Sequence, residues 1–437
     1  MDRIFRAIFG LFSFETLFVL YLFAGQYKKD KVLMHLTGSV DLTPVLFVAS
    51  AAVGLFIFIV KGLEIKKQTY RLLFTFLLFV CYAGISLSWS ASSVYGATKT
   101  LYLGFQNFWN LIAAAIIIVP DRQRLRRLMF MILVVSFIYV IMSLPLIMKA
   151  GSGLPINLVG TEYDGVSFVI STGIPVLLCY MIDTSQIKFI RMLSFALCCL
   201  YFLILLYVGH RGYLISTIIG MILLIYISFR DQLSAVKNIS IKKSHIILIL
   251  LALFTTIAIM HITGNEPVTV SRMELLGAPT KHGSTSLRLH FYREAFHIWG
   301  EHPIFGAGIG SFPIINGAGD VRGYPHNLIL ELLSELGLVG LLIFGTLLFI
   351  GVRSLLKNLF SKSPESFFVL LIFVTYFVES LFSSDISDHR FLMLALGLMM
   401  FPPAPTRSPV STPAPAQVGL LTEAGEIAAD KLSKVNI

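Results

Sequence analysis

Apolar runs of about 20 residues recur along this chain almost from its first residue to residue 401, and no other feature limits its fold so sharply. The stretch LTPVLFVASAAVGLFIFIV at 42–60 is a representative one. A bilayer core offers a backbone no water, so a crossing segment satisfies its amides internally, as a helix or within a closed barrel. These runs are continuous rather than alternating, which selects helices. Composition agrees: of 437 residues 56% are hydrophobic and only 13% charged, against roughly a quarter charged in ordinary soluble domains. The mean hydropathy is +0.82. The expected fold class is an all-α polytopic membrane protein with about twelve transmembrane helices. They fall at 5–25, 43–60, 72–89, 99–119, 128–148, 165–182, 192–208, 213–229, 244–262, 327–352, 367–382 and 390–401.

The short loops set an orientation. Cytoplasmic loops are enriched in lysine and arginine. With Arg3 and Arg6 cytoplasmic, alternate loops should be basic, and they are: Lys61 to Arg71, DRQRLRR at 121–127, Lys188 and Arg191, Arg230 to Lys243, and Arg353 to Lys362. KKDK at 28–31 is the exception. The net charge of +10 is therefore mainly topology, and no basic patch interleaved with aromatics points to nucleic acid. The four cysteines lie inside apolar runs, with neither disulfide nor metal-ligand spacing. Residues 1–401 form the membrane domain. The segment 402–437 opens on PPAPTRSPVSTPAPAQ and reads as a mobile, Pro-rich cytoplasmic tail. Both termini are thus expected in the cytoplasm of a bacterium, the protein residing in its inner membrane.

By parity the one long extramembrane segment, 263–326, faces outward, and five of the ten histidines lie in it or at its end: His282, His290, His297, His302 and His326. Within it Leu289, Tyr292, Phe296 and Trp299 recur at helical spacing, as on a helix lying in the membrane interface. Ser284 or Ser286 is placed to cap that helix and Glu301-His302-Pro303 to end it. The GAGIG run that follows lacks the strand–turn–helix context of a dinucleotide fingerprint. His290, Glu294 and His297 share one helical face, but nothing supplies a fourth ligand, so no metal is assigned.

Two further groups stand out for their location. Arg211 sits in a short break between two apolar runs, outward by parity and against the positive-inside bias; Gly209 and Gly212 allow the turn. His326 opens a strongly apolar helix, with Pro325 before it and Asn327 after it. Glu331 and Glu335 share a face that is roughly 140–180° around the helix from His326, so they are not its partners. Gly337 and Gly340 read as helix-packing residues. Glu15 and Glu379 are the intramembrane acids without an evident partner.

Arg288, PIFGAGIGSF at 303–312, PHN at 325–327 and ELGLVG at 335–340 together resemble the O-antigen ligase/polymerase superfamily of multi-spanning glycosyltransferases. Its pattern has an arginine-bearing periplasmic helix, a P-x-G-x-G turn, a His-Asn pair and an E-x-G-x-x-G helix. The RG at 211–212 is similar to the family's SRG, with His210 where serine is commoner. The Pro-rich tail lies outside that pattern.

The resemblance implies a GT-C-like glycosyltransferase whose donor is a glycan on undecaprenyl diphosphate and whose acceptor is lipid A-core, with the site facing the periplasm. His326 is then the catalytic base for the acceptor hydroxyl, while Arg211 and Arg288 hold the departing diphosphate. Arg322, Tyr324, Asn327 and Arg293 are placed for weaker substrate contacts. With guanidinium groups carrying the charge, no cofactor and no metal is called for. Two alternatives stand beside the ligase: an O-antigen or exopolysaccharide polymerase of the same superfamily, and, from another class, a transporter or flippase. A transporter would place its functional polar groups near the bilayer midplane.

Overall fold

In a computed structural model of the chain, the residues described are 13–27, 35, 40–62, 65–149, 163–183, 185–233, 284–359, 363–383 and 385–401. Their regular elements are all helical, with no strand among them. The order is α1 (Phe14–Tyr27), α2 (Leu42–Lys61), α3 (Lys67–Ser86), α4 (Tyr95–Ile118), α5 (Arg122–Lys149), α6 (Tyr163–Ile182), α7 (Lys188–Val208), α8 (Arg211–Leu233), α9 (Ser284–Glu301), α10 (Phe312–Ile315), α11 (Leu328–Glu331), α12 (Gly337–Leu359), α13 (Pro364–Ser380) and α14 (Arg390–Leu398). A π turn, Leu332–Leu336, joins α11 to α12, and two more interrupt α4 at Leu103–Asn107 and Ala113–Ile118.

Among the described residues seven helices are long and apolar enough to cross a membrane: α2 to α7, and the joined α11–α12 between Leu328 and Lys357. Apolar stretches within α1 and α8, Phe14–Gln26 and Arg211–Ile227, are shorter. Every expected span within the described residues meets a helix, but α13 has 17 residues and α14 only 9. The short α14 is possible because it is enveloped: each residue from Phe391 to Leu398 is buried, against α13 and α4. The span expected at 244–262, the KKDK loop and the tail from 402 lie outside the described residues.

Aromatic rings fill the centre. Phe168, Tyr376 and Phe391 meet with centroids 4.8–5.6 Å apart, and Phe23 closes on Phe391 at 5.1 Å. One end of the bundle is tied by charge. Glu15, expected to stand alone, is paired: Arg124 and Arg127 each lie 3.3 Å from it. Arg126 reaches Glu365 at 2.8 Å. The basic DRQRLRR segment thus neutralises two buried acids as well as marking a loop. α13 runs from Glu365 at this end to Glu379 at the other, where the outward-predicted segments gather.

Candidate active site

The P-x-G-x-G turn is fastened to a deliberate fault in a helix. The π turn and Gly337 (φ 64°) interrupt the hydrogen-bond ladder between α11 and α12, which leaves backbone groups without helical partners. The turn takes them. Ala307 N donates to Ser334 O (2.9 Å) and Gly308 N to Glu335 O (2.8 Å), while Leu338 N and Val339 N donate back to Pro303 O and Ile304 O at 3.0 and 3.1 Å. A Cβ on Gly337 would lie 2.4 Å from Gly306 N and Ile304 O. Gly337 therefore serves loop docking, a correction to its reading as a helix-packing residue. The amides of the GAGIG run are likewise occupied: Ile309 N by Ser86 Oγ (3.1 Å) and Gly310 N by Glu335 Oε2 (2.9 Å). They are structural donors, not a phosphate cradle.

Below the turn lies a charge cluster whose centre, Lys99 on α4, the sequence reading passed over. Its fully buried ammonium is 2.5 Å from Glu331, 2.7 Å from Glu335 and 3.7 Å from Asp385. Tyr95 Oη donates to Asp385, and Ile386 N donates to Glu331. Two acids on one apolar helix face demanded a cation, and a lysine at the start of an apolar span was the signal that could have found it. Burial alone would raise Asp385, but Lys99 and the Ser387 hydrogen bonds hold it below the usual carboxylate range. As expected, the two glutamates are not partners of His326.

His326 lies just before α11 and is the non-glycine residue with positive φ (60°) among those described. Asn327 caps the helix: its Oδ1 accepts from Leu330 N and its Nδ2 donates to Leu381 O, both at 3.1 Å. The imidazole is stacked on Phe291 (6.1 Å between centroids) and edge-on to Tyr324 (4.5 Å). Its Nδ1 is buried with no hydrogen-bond partner. Arg322, Tyr324 and His326 line a cavity of about 420 Å³ with Phe291, Phe312 and Asn316. Burial, aided by the charges of Arg288 and Arg322, lowers the His326 pKa to about 4, so the ring is neutral at physiological pH. Arg322 is itself held by an ion pair to Asp388 and lies over the Tyr324 ring.

Arg211 begins α8 after Gly209, which closes α7 in the left-handed region (φ 100°). His210 takes the capping role that serine would have there, its Nδ1 accepting from Tyr213 N at 3.4 Å. Gly212 is pressed against Glu379, whose Oε2 would be 2.4 Å from a Cβ at that position. Glu379 is not wholly alone either: His210 Nε2 is 3.8 Å away and the charge of Arg288 reaches it. Arg288 therefore acts on both the His326 cavity and the Arg211 corner. Asn327, through Leu381, ties the corner to the base of the cavity.

Arg293 stands apart. With Leu289, Tyr292, Phe296, His297 and Leu330 it lines a second, more open groove of about 540 Å³. α9 spans the predicted helix, buries Ala295 and Ile298, and leaves Leu289 and Phe296 exposed, as an interfacial helix would. His290 lies 3.9 Å from Glu294 and His297 lies 3.8 Å from Glu301; no group of three or more ligating side chains assembles among the described residues.

No curated protein matches the chain. Residues 192–345, from α7 into α12, match the sequence model of the family described as O-antigen ligase, and the matched segment is the one that carries Arg211, Arg288, His326 and the P-x-G-x-G turn.

Proposed function

We propose that the protein is an O-antigen ligase, transferring a glycan from undecaprenyl diphosphate to lipid A-core at the periplasmic face. The observation that carries this reading is His326: a neutral imidazole with a buried, unpartnered Nδ1, set in a cavity beside Arg322 and within the field of Arg288. The acceptor hydroxyl attacks the anomeric carbon and loses its proton to His326. The bond from that carbon to the diphosphate oxygen breaks, and the configuration inverts. Arg211 and Arg288 take the charge that develops on the leaving diphosphate, where preorganised cations act most strongly. Arg322 and Tyr324 border the same cavity and contact the sugar or acceptor.

A base with a pKa of about 4 is weak, and the substrate mends this. A diphosphate drawn to the arginines cancels part of the positive field on the imidazole and raises its basicity when the donor is in place. The Arg293 groove, apolar with an exposed guanidinium, suits the lipid portion of a substrate. The polymerase alternative uses the same groups on a different acceptor.

The deciding experiment is glycan transfer by purified protein from polyprenyl-diphosphate-linked glycan, with chelator throughout, with and without lipid A-core. Product formed only with lipid A-core supports a metal-independent ligase. Longer polyprenyl-linked chains without it mean a polymerase. No product under either condition, in protein that is folded, removes the glycosyltransferase reading and returns the transporter.

A further inference from the structure

The residues between α10 and α11 carry Arg322, Tyr324 and His326, yet within 316–325 the side chain most heavily hydrogen-bonded is Asp320. Its Oδ1 accepts from Ser92 Oγ (2.6 Å) and Tyr95 N (3.0 Å); its Oδ2 accepts from Val94 N (2.8 Å), Ser93 N (3.1 Å) and Ser93 Oγ (3.3 Å). Val94 and Tyr95 open α4, so a residue more than two hundred positions later caps its first amides, beside Ser92 Oγ, which accepts locally from Gly96 N at 2.7 Å. The hydrogen bonds, Ser92 foremost, hold the Asp320 carboxyl well below the usual range, and it is ionised at any physiological pH. The same stretch of chain holds the neighbouring parts of the site. Ser86 and Ser90 bind Ile309 at 3.1 and 2.7 Å, and Lys99, one turn beyond Tyr95, binds Glu331 and Glu335 below His326.

We propose that Asp320 is a positioning residue for the transfer reaction: by clamping the 316–325 loop to the first turn of α4, it holds Arg322 and His326 in the geometry the reaction needs. The inference rests on the functional reading of His326. Residue 326 follows six positions after the clamp and has the strained backbone conformation that needs restraint from both sides. Downstream that restraint is the Asn327 cap; upstream it is Asp320, with the Arg322–Asp388 pair between them.

The test is steady-state transfer by full-length Asp320→Ala, with pH profiles, beside wild type and His326→Ala. The clamp predicts a fall in kcat of about 100-fold, the scale set by a misplacement of roughly 1 Å, with donor KM within about threefold. The groups facing His326 are Arg288 and Tyr292 on α9 and Arg322 and Tyr324 on the loop. Release of the loop hydrates the ring and carries Arg322 away, so the acid limb of kcat/KM should climb from near 4 toward the ordinary histidine value. A merely structural role would lower the yield of folded protein and leave that limb in place. Unchanged kcat, or a loss with the acid limb still near 4, overturns the proposal. Should Asp320→Ala not fold, Ser92→Ala decides: a smaller fall in kcat with the same direction of limb movement supports the clamp, and no change in either rejects it. His326→Ala separates the two levels. If it retains turnover the functional reading fails; if it is inactive while both clamp variants behave as wild type, only the inference about Asp320 fails.

Discussion

Two sets of ionisable groups lie within a few residues of each other at the same end of the bundle, and they are treated in opposite ways. Around Lys99, the ammonium touches Glu331 and Glu335, and their remaining contacts run to the amides of Ile386 and Gly310. Around His326, the imidazole has an unpartnered Nδ1 and a backbone in the left-handed region, and the arginines about it disfavour its protonation. The first arrangement shares one cation among three acids and joins α4 to α11. The second leaves chemical capacity unspent and stores strain, as reactive sites do. Burial of charge in a membrane protein is therefore no guide to function by itself: Glu335 Oε1 is also buried without a hydrogen bond, and what separates the two regions is that the Lys99 ammonium is held by its carboxylates while the imidazole Nδ1 meets no partner.

The comparison breaks most directly at His326. His326→Ala should lower transfer by at least about a thousandfold, within the range that general base catalysis supplies, with membrane insertion and thermal stability near wild type. Arg288→Ala should be nearly as damaging if the proposed mechanism holds, since its charge reaches both His326 and Glu379. Turnover assayed beside the amount of folded protein checks both; substantial activity in either variant would remove that residue from the mechanism.

Lys99→Met should do the reverse. Removing the cation leaves two glutamates and an aspartate buried together, and breaking a buried pair in this way costs about 3–5 kcal/mol. The expected outcome is a large drop in thermal stability and recovered protein, while the activity per folded molecule falls far less than in His326→Ala. Measurement of melting temperature together with specific activity decides it. A stable but inactive Lys99→Met protein would move Lys99 from the scaffold into the reaction.

Most of the helices were legible in the sequence because continuous apolar runs and basic loops are one-dimensional signals. His326 and Arg211 stand out there as polar groups at the edges of apolar runs. What stayed hidden depends on contacts between distant segments. Lys99 looked like the edge of a span until α4 met α11, and Glu15 looked isolated until α5 met α1. Gly337 was read from a packing pattern, whereas its reason is the 303–306 chain lying against it. His210, a departure from the family pattern, proved to preserve the cap rather than lose it, because an imidazole Nδ1 can accept the same amide that a serine oxygen does.

The finest test of the contrast is the pH profile of transfer by the unaltered protein. An ordinary histidine base gives kcat/KM an acid limb near 6.5. Here burial and the two arginines place that limb near 4, so kcat/KM should stay flat between pH 7 and about 5 and fall only as the pH approaches 4. The sign follows from the form that works: the neutral ring is the base, and a lowered pKa extends its range toward acid. The profile of kcat reports the donor complex instead. There the diphosphate offsets Arg288, and the limb should lie at higher pH than that of kcat/KM. A gap between the two limbs would mean that the donor itself tunes the base that activates its attacker. Coincident limbs near 6.5 would mean that water and not the arginine field surrounds His326, and the distinction drawn between the two charged regions would lose its electrostatic half.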